Sequence, residues 1–379
     1  MSVCNTSVIL YDNKGLARRD PEDPIVKQIQ LGLLMSYQGQ IEPLPFETVF
    51  SPDRREHIQK IGLGLHSEVF GFTNENVAVK LVPFGGDKSF HSQPQMTISE
   101  VCTELEITEA ISNLQIKDDS ESSSPNLVNI LRVTVLQGQI PQYLIDAKCN
   151  CKIPIGLQFI EKNEFPVEQL WVALEFTNSG EALTNNWPSC GKARLSVLAQ
   201  AALALAVGER RLQMEHRDLH LGNVLINRNI SSNVKECEHL PPRTFVDGVA
   251  FQPLDGPTTC IVDFACARLQ NQNFTHFVDM TDKCKRVRIK DGPIGVMYGI
   301  MQDITDDQWN CFHPITNVYW LTFLALWLLD SDKVHNCDIH SNFNLDLTKQ
   351  LVTHFLGKCS SALEFIKVLK RDCNELLFK

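Results

Sequence analysis

The segment Glu215 to Ile226, EHRDLHLGNVLI, contains the residues with the clearest chemical potential in the chain. Its pattern H-R-D-L-x-x-x-N places a carboxylate at Asp218 and an amide at Asn223, five residues later. At this spacing the carboxylate can orient and deprotonate an acceptor hydroxyl, while the amide reaches back around the loop to a magnesium ion. The pattern therefore predicts phosphoryl transfer, with Asp218 as general base and Asn223 as a metal ligand.

A second carboxylate follows a short apolar run. Cys260, Ile261 and Val262 are typical of a buried strand, and Asp263 comes directly after them. An aspartate in this place, after the H-R-D loop, can hold magnesium against the β- and γ-phosphates of a nucleotide. We therefore predict Asp263 as the second metal ligand, for a direct in-line transfer without a covalent enzyme intermediate.

Lys80 ends the run V-A-V-K, in which its neighbours are apolar. A lysine inside such a strand needs a partner for its ammonium group, and V-A-I-K on a third strand directs it to nucleotide phosphates. The segment Ser99 to Leu114 has apolar residues at roughly helical spacing and contains Glu104. Either charge alone also fits a solvated surface, but in this order after a glycine-rich hairpin they predict a Lys80–Glu104 ion pair.

Two interruptions divide the strand-forming residues of segment 57–84, one at Gly62 and Gly64 and one at polar residues 73–76. They predict two hairpin connections and hence three antiparallel strands. A glycine-rich turn lets backbone N–H groups approach phosphates without a Cβ in the way. Because Ser67 stands at the third position of G-x-G-x-x-G, the motif alone also fits an ordinary hairpin with glycines in its turn.

A long helix is predicted directly before the H-R-D segment. Between Lys192 and Met214, apolar residues recur at helical intervals on one face. A buried helix that runs straight into the loop would fix the position of the Asp218 carboxylate.

The composition is that of a folded protein. The 379 residues, 43% of them hydrophobic and 21% charged, exclude disordered, collagen-like and coiled-coil chains. The length predicts two or three folding units at about 150 residues each. The longest apolar run, Val318 to Leu329, is shorter than the ~18 residues of a membrane span. The net charge of -10 argues against a general nucleic-acid binder and suits a basic partner.

The cysteines predict a reducing, intracellular compartment. There are 13, an odd number, and the first residues lack the basic-then-apolar order of a signal peptide. The Asn-x-Ser/Thr motifs at Asn5, Asn229 and Asn273 would then carry no glycan. Cys149 and Cys151 form a close pair without the further ligands that tetrahedral zinc needs. We expect no structural metal and no membrane insertion.

The H-R-D segment and its surroundings resemble the haspin kinases, an atypical branch of the eukaryotic protein kinases. His220 stands where most protein kinases have Lys, IVDFACARL follows without the glycine of D-F-G, and A-P-E is missing from the sequence. The resemblance extends to LAVGERRLQM before the loop, to DQWNCFHPITNVYWLTFL at residues 307–324, and to the final ELLFK. It spans roughly Phe46 to Lys379.

The resemblance implies an ATP-dependent serine/threonine kinase that phosphorylates a threonine of the histone H3 N-terminal tail in mitosis. It also implies a nuclear and chromosomal location with association to chromatin, and a monomer is expected. Because the family is similar to kinases held active without loop phosphorylation, Arg217 need not bind a phosphate.

The same resemblance assigns roles to the site residues. Lys80 would contact the α- and β-phosphates of ATP, and Glu104 would hold Lys80. Mg²⁺ would be bound by Asn223 and Asp263, with Asp218 at the acceptor hydroxyl. Further nucleotide contacts would come from the glycine-rich hairpin, the third strand and the segment that joins the lobes: Gly62, Gly64, Val69, Ala78, Glu175, Phe176, Thr177 and Asn178.

The predicted fold class is α+β, a bilobal protein-kinase-like fold with ATP between the lobes. An N-terminal extension at 1–45 precedes an antiparallel β N-lobe with one main helix at 46–176. A mainly α-helical C-lobe follows at 177–379, so that one kinase domain covers about 46–379.

Some positions depart from the family pattern. The acidic residues that would receive the basic histone tail fall near Ala182 and Thr184, where Glu181 is the nearby acid, and an expected Asp of the helix GVMYGIM is Val296. Two alternatives therefore stay open. One is a catalytically weak or inactive nucleotide-binding scaffold, and the less favoured one is a small-molecule phosphotransferase with an H-x-D-L-H-x-G-N loop.

Four other features carry simpler expectations. His220 is predicted to steady the loop by hydrogen bonding, with phosphate contact as the alternative. The basic run Lys283 to Lys290 is predicted to be a solvated, strand-like surface rather than a DNA contact. The acidic, serine-rich stretch Asp118 to Pro125 is predicted to be an exposed loop, and Pro241 to Pro257 an insertion before the Asp263 strand.

Overall fold

The structure is a computed structural model that describes residues 11–12, 24–115, 122–151, 153, 157–161, 164–227, 236–271, 274–287, 292–330 and 344–379. The motifs at Asn5, Asn229 and Asn273 and most of the predicted extension up to residue 23 lie outside these residues. The chain divides into two compact units. We name them the sheet unit, residues 18–109 and 129–178, and the helical unit, residues 1–17, 110–128 and 179–379.

The strands, numbered in chain order, are β1 (Tyr11–Asp12), β2 (Ile58–Leu63), β3 (Glu68–Phe72), β4 (Val77–Phe84), β5 (Ile130–Gln137), β6 (Lys148–Cys149), β7 (Leu170–Thr177), β8 (Glu181–Ala182), β9 (Val224–Asn227), β10 (Thr244–Val246), β11 (Val249–Phe251), β12 (Thr258–Ile261), β13 (Leu269–Asn271) and β14 (Phe274–His276). The helices are α1 (Pro24–Ser36), α2 (Pro52–Arg55), α3 (Ile98–Ser112), α4 (Gln142–Ile145), α5 (Gly191–Leu212), α6 (Thr281–Val287), α7 (Gly292–Thr305), α8 (Ile315–Leu328), α9 (Leu345–Leu356) and α10 (Ala362–Asp372).

The sheet unit contains a six-stranded sheet in the order β5-β7-β4-β3-β2-β6. Its neighbours are antiparallel except for the short parallel pair β2–β6. The three antiparallel strands predicted from the two sequence interruptions are β2, β3 and β4, so that prediction is confirmed. The predicted helix of segment 99–114 is α3.

Both faces of this sheet are buried. On one face, Val79 and Trp171 pack in a cluster with Phe50 and Phe70. On the other, Val82 and Phe84 pack against Leu105 of α3, in a cluster that also contains Leu34 of α1. Each fully buried aliphatic or aromatic side chain contributes roughly 1.5–3 kcal/mol. The sheet is therefore a rigid support for the side chains that project from β4.

The helical unit is built around α5, a 22-residue helix in which every residue from Ala193 to Glu209 is buried. Gln213 ends it in the left-handed conformation, with φ of 45°. The predicted helix before the H-R-D segment is thus confirmed. A small sheet in the order β12-β9-β8 brings the strand before Asp263 beside the strand after Asn223.

The predicted α+β fold class is confirmed, whereas two local predictions are wrong. Residues 281–287 form the helix α6 instead of a strand, because the Asp279 side chain accepts from Thr281 N at its start and Met280 and Cys284 are buried. Ser122 to Ser124 are buried, since Ser123 pairs with Phe245, so the described part of the serine-rich stretch is not an exposed loop. The predicted domain boundaries stay a prediction.

Candidate active site

The face of the sheet that carries Lys80 gathers several predicted nucleotide-binding residues. Gly62 pairs with Val69, and Val69 pairs with Lys80, across β2, β3 and β4. Residues directly opposite each other share one face of a sheet. Ala78 lies two residues before Lys80 and pairs with Phe176 of β7, so both belong to the same face. The strand register thus brings these positions together.

The ammonium group of Lys80 donates to Oε1 of Glu104 on α3, and both side chains are largely buried. A capping box fixes the start of this helix, because Thr97 N donates to the Glu100 carboxylate and Glu100 N donates to the Thr97 hydroxyl. The structure therefore brings together the lysine and glutamate that were predicted to pair.

The glycine-rich turn is closed by a hydrogen bond from Gly64 N to Ser67 O at 2.9 Å. A Cβ at Gly64 would lie 2.8 Å from Ser67 Oγ, which is closer than real Cβ contacts. A ring nitrogen of His91 lies 3.1 Å from Gly64 O. Serine at the third motif position therefore packs against the second glycine, and the turn keeps its shape.

Glu175 lies on the opposite face from the Lys80 group. It is paired with Val79, is buried, and accepts from Arg54 at 3.3 Å. The next residues of this segment use their amides within the protein. Thr177 N and Asn178 N donate to carbonyl oxygens of Asn129 and Asn76 at 3.0 and 3.1 Å. These amides could meet a nucleotide only by giving up those bonds, so of this segment Phe176 is the residue on the Lys80 face.

The H-R-D loop is tied to the strand before Asp263 by His216. Burial lowers the pKa of His216 to about 4, so its ring is neutral at pH 7. Nδ1 accepts from Asp218 N at 3.3 Å, which places the ring proton on Nε2, 3.2 Å from the carbonyl oxygen of Val262. The loop and the strand are thereby held in one arrangement.

Asn223 and Asp263 lie side by side through the backbone. Asn223 O accepts from Val262 N at 3.1 Å, and Asn223 Nδ2 donates to Asp218 O at 2.9 Å. The second bond leaves Oδ1 of Asn223 as the amide atom that can ligate a cation. Asp263 is exposed and has a φ of +61°, a sparsely populated conformation of the kind that concentrates at functional sites.

These oxygen donors fit magnesium. Carboxylate and amide oxygens are ligand types that Mg²⁺ accepts, and Mg²⁺ keeps waters and substrate phosphates as its remaining ligands. Two protein ligands are therefore enough. Within the described ranges, no cluster of three or more His, Cys, Asp or Glu side chains could hold a metal.

The carboxylate of Asp218 has partners that the motif did not predict. The Tyr298 hydroxyl on α7 donates to Oδ1 at 2.5 Å. Nζ of Lys283 on α6 lies 3.5 Å from Oδ2, and Sγ of Cys266 lies 3.8 Å from the same oxygen. Two sequence signals were available for these partners. Tyr298 is a tyrosine inside the apolar helix GVMYGIM, and Lys283 begins the basic run that follows the Asp263 strand.

His220 forms the hydrogen bond predicted for it. Its Nδ1 accepts from Gly222 N at 3.0 Å and caps the short 3₁₀ turn Leu221–Asn223. Its Nε2 lies 3.9 Å from Oδ1 of Asp218. The ring therefore shapes the loop that positions Asn223.

A buried amide joins this loop to two helices. Asn317 of α8 accepts from His216 N at 3.1 Å, and its Nδ2 donates to Glu209 of α5 and to Met214 O, each at 2.9 Å. The Glu209 carboxylate also accepts from the first amides of α10, Ala362 N and Leu363 N. Sequence patterns gave no sign of this network.

Of the three positions named for the predicted tail receptor, only Glu181 is acidic. Glu181 is exposed on β8, whereas Ala182 is half-buried and Thr184 is exposed. Val296 is 58% exposed on α7, so the aspartate expected at that position would face solvent.

Comparison with known proteins gives a consistent set of relatives. The family model "Haspin like kinase domain" matches residues 32–364. The chain is 26% identical over 329 residues to the serine/threonine-protein kinase haspin homolog of Drosophila melanogaster, covering 84% of this chain and 56% of that protein. It is 28% identical over 347 residues to the serine/threonine-protein kinase haspin of Bos taurus, covering 90% of this chain and 42% of that protein.

Against the mouse (Mus musculus) serine/threonine-protein kinase haspin, the identity is 28% over 296 residues, covering 77% of this chain and 38% of that protein. The chain therefore spans roughly half or less of the length of these curated relatives. No helix among the described residues is long and apolar enough to cross a membrane.

Proposed function

Because the chain belongs to the haspin-like kinase family, as its motifs predicted, we propose that it is an ATP-dependent serine/threonine protein kinase. Its proposed substrate is a threonine of the histone H3 N-terminal tail, phosphorylated in mitosis on chromosomes. One observation supports the proposal most: Asn223 Nδ2 donates to Asp218 O, and Asn223 O accepts from the amide of Val262, the residue before Asp263.

In this function Asp218 orients the acceptor hydroxyl and accepts its proton as the hydroxyl oxygen bonds to the γ-phosphorus. The bond between that phosphorus and the β–γ bridging oxygen breaks, and ADP leaves. Lys80, held by Glu104, binds the α- and β-phosphates. Asn223 and Asp263 would hold Mg²⁺, which neutralises charge on the phosphate oxygens when it is bound.

The histone part of the proposal rests on charge. The H3 tail is rich in Lys and Arg, and a net charge of -10 favours encounter with such a partner. Glu181 is the exposed acid next to the positions where the family has its tail-binding acids. Since Ala182 and Thr184 carry no charge there, we expect weak, salt-sensitive binding of the tail, screened over ~8–10 Å at ordinary ionic strength.

Acceptor profiling tests the function. The full chain is incubated with Mg²⁺ and γ-labelled ATP, together with an H3 N-terminal peptide, the same peptide with alanine for each threonine, a protein extract or a metabolite extract. The proposal requires label on the threonine-containing H3 peptide and none on the alanine peptide. Label on other proteins alone would keep the kinase and remove the histone, while label on a metabolite would indicate a small-molecule phosphotransferase. With nothing labelled, the inactive scaffold is correct.

A charge reversal at Glu181 tests the proposed receptor for the histone tail. Glu181→Lys should raise the KM for the H3 peptide and leave the KM for ATP nearly unchanged. Glu375→Lys, an exposed acid in the C-terminal 3₁₀ turn, makes the same change in net charge and serves as the matched control. If both variants raise the peptide KM equally, the effect is one of overall charge, and Glu181 is not a receptor residue.

A further inference from the structure

Lys283 is held beside the proposed catalytic base by several contacts. Its ammonium nitrogen lies 3.5 Å from Oδ2 of Asp218, 3.1 Å from Sγ of Cys266 and 4.8 Å from the centre of the Tyr298 ring. The Lys283 side chain is 34% exposed and that of Asp218 13%, so the pair is partly shielded from water. Such a pair is stronger than one on an open surface.

The Lys283 side chain is positively charged at pH 7. Burial lowers the pKa of Lys283, but the acidic groups around it raise it more, and the net change is upward. Burial raises the pKa of the Cys266 thiol to about 11, so that thiol is neutral at pH 7. Lys283 is therefore an ammonium ion, and it lies beside the Asp218 carboxylate.

The H-R-D loop itself lacks the lysine that most protein kinases have at position 220. His220 stands there, and its Nδ1 is used to cap the 3₁₀ turn. Phosphoryl transfer concentrates negative charge on the equatorial oxygens of the transferred group, and a fixed cation beside them lowers the barrier. A lysine that assists the transfer in this chain would therefore have to come from outside the loop.

The proposed role of Asp218 sets the distances that such a lysine has to cover. A base acts on a hydroxyl within hydrogen-bond reach, about 2.6–3.2 Å, and the hydroxyl oxygen attacks a phosphorus about 3–3.5 Å away. A lysine next to the Asp218 carboxylate, on a flexible four-carbon stem, can reach the transferred group by a side-chain rotation.

We propose that Lys283 of α6 is a catalytic residue that contacts the transferring phosphoryl group, in place of the loop lysine missing at His220. The inference rests on the proposed kinase function. Two observations support it. Cys284 of α6 and Met280, directly before the helix, are fully buried and fix the helix beside Lys283, while Lys285 on the same helix is exposed.

Steady-state kinetics of the full chain test the proposal, with the acceptor that the wild type labels. Lys283→Met should lower kcat by about 10²-fold, the usual loss when one charge-stabilising group is removed. The KM values for ATP and acceptor should change little. Lys283→Arg keeps the charge and should retain much of the activity. Lys285→Met removes one positive charge from the same helix and should behave like the wild type.

Each other outcome has one meaning. If Lys283→Met turns over as fast as the wild type or faster, the lysine is a structural or inhibitory partner of Asp218 and the inference is wrong. Equal losses in Lys283→Met and Lys285→Met also overturn it. If Lys283→Met melts early, Lys283→Gln, which keeps a polar head group over Tyr298, replaces it. A wild type that labels no acceptor refutes the kinase function itself, which separates the two failures.

Discussion

Glu215 and Arg217 form an ion pair in which neither side chain has any solvent exposure. Nε and Nη2 of Arg217 donate to the two carboxylate oxygens of Glu215, each at 3.1 Å. The same carboxylate accepts from His313 N at 2.7 Å and from the Thr316 hydroxyl at 2.9 Å. The arginine of H-R-D therefore has a carboxylate partner two residues away and does not require a phosphate for charge balance.

Removing one partner of this pair should be costly. Glu215→Ala leaves the Arg217 charge buried without its counter-ion, and we expect a loss of about 3–5 kcal/mol in the free energy of unfolding. Urea denaturation measures it. Asp247→Ala is the control, because Asp247 forms exposed ion pairs with Arg210 and Lys367 that should contribute no more than about 1 kcal/mol. Equal losses in both variants would contradict the burial argument.

The proposed base can be tested separately from nucleotide binding. Asp218→Asn keeps an oxygen that can accept from the Tyr298 hydroxyl, so the fold should survive. Turnover should fall by about 10²–10⁴-fold, as expected for loss of a general base, while ATP affinity is retained. Comparable turnover in variant and wild type would remove Asp218 from that role.

The proposed metal ligands predict a magnesium effect. For the wild type, nucleotide affinity measured by titration should differ clearly with and without Mg²⁺. Asp263→Ala should show little difference, because Asn223 alone offers a single amide oxygen. An effect of magnesium that is the same in both proteins would show that Asp263 does not hold the ion.

The Glu209 carboxylate should make stability depend on pH. Burial raises its pKa from the usual 4.5 to about 7, although Asn317 and the amides of Leu363 and Ala362 favour the ionised form. The folded state therefore keeps the proton to higher pH than the unfolded state does. Stability from this group is full below about pH 4.5 and is lost as the pH rises to about 7, by a total on the order of 3 kcal/mol.

Glu209→Gln should remove that slope. Urea midpoints of the variant and the wild type are compared at about pH 5, 6 and 7.5, which span most of the expected titration. The difference in midpoint between the two proteins should change across this series. A constant difference would mean that Glu209 does not titrate in this range.

The parts of the site that the sequence predicted are those whose signal lies within one short segment. Lys80 was proposed from V-A-V-K, and Asp218 with Asn223 from the spacing in the loop. The Lys80–Glu104 contact spans 24 residues but was predictable, because a lysine on an apolar strand and a glutamate on the next helix have few other ways to be satisfied.

Contacts between segments that are distant along the chain could not be predicted from the sequence. Tyr298 lies 80 residues from Asp218, and Lys283 lies 65 residues from it. Nothing in either local pattern indicates which carboxylate it meets. The run Lys283 to Lys290 was predicted to be a solvated, strand-like surface, whereas its first residues belong to α6, and Cys284 there and Met280 just before the helix are buried.

The three hydrogen bonds of Asn317 have a consequence for how the molecule opens. This one side chain joins α5, α8 and the H-R-D loop, and it is fully buried. The loop cannot separate from the helices without exposing an unpaired amide, which is costly in an apolar interior. The backbone amide of His216 should therefore exchange with deuterium in step with the slowest amides of α5, as part of one cooperative unfolding unit, instead of with the fast kinetics of a surface loop.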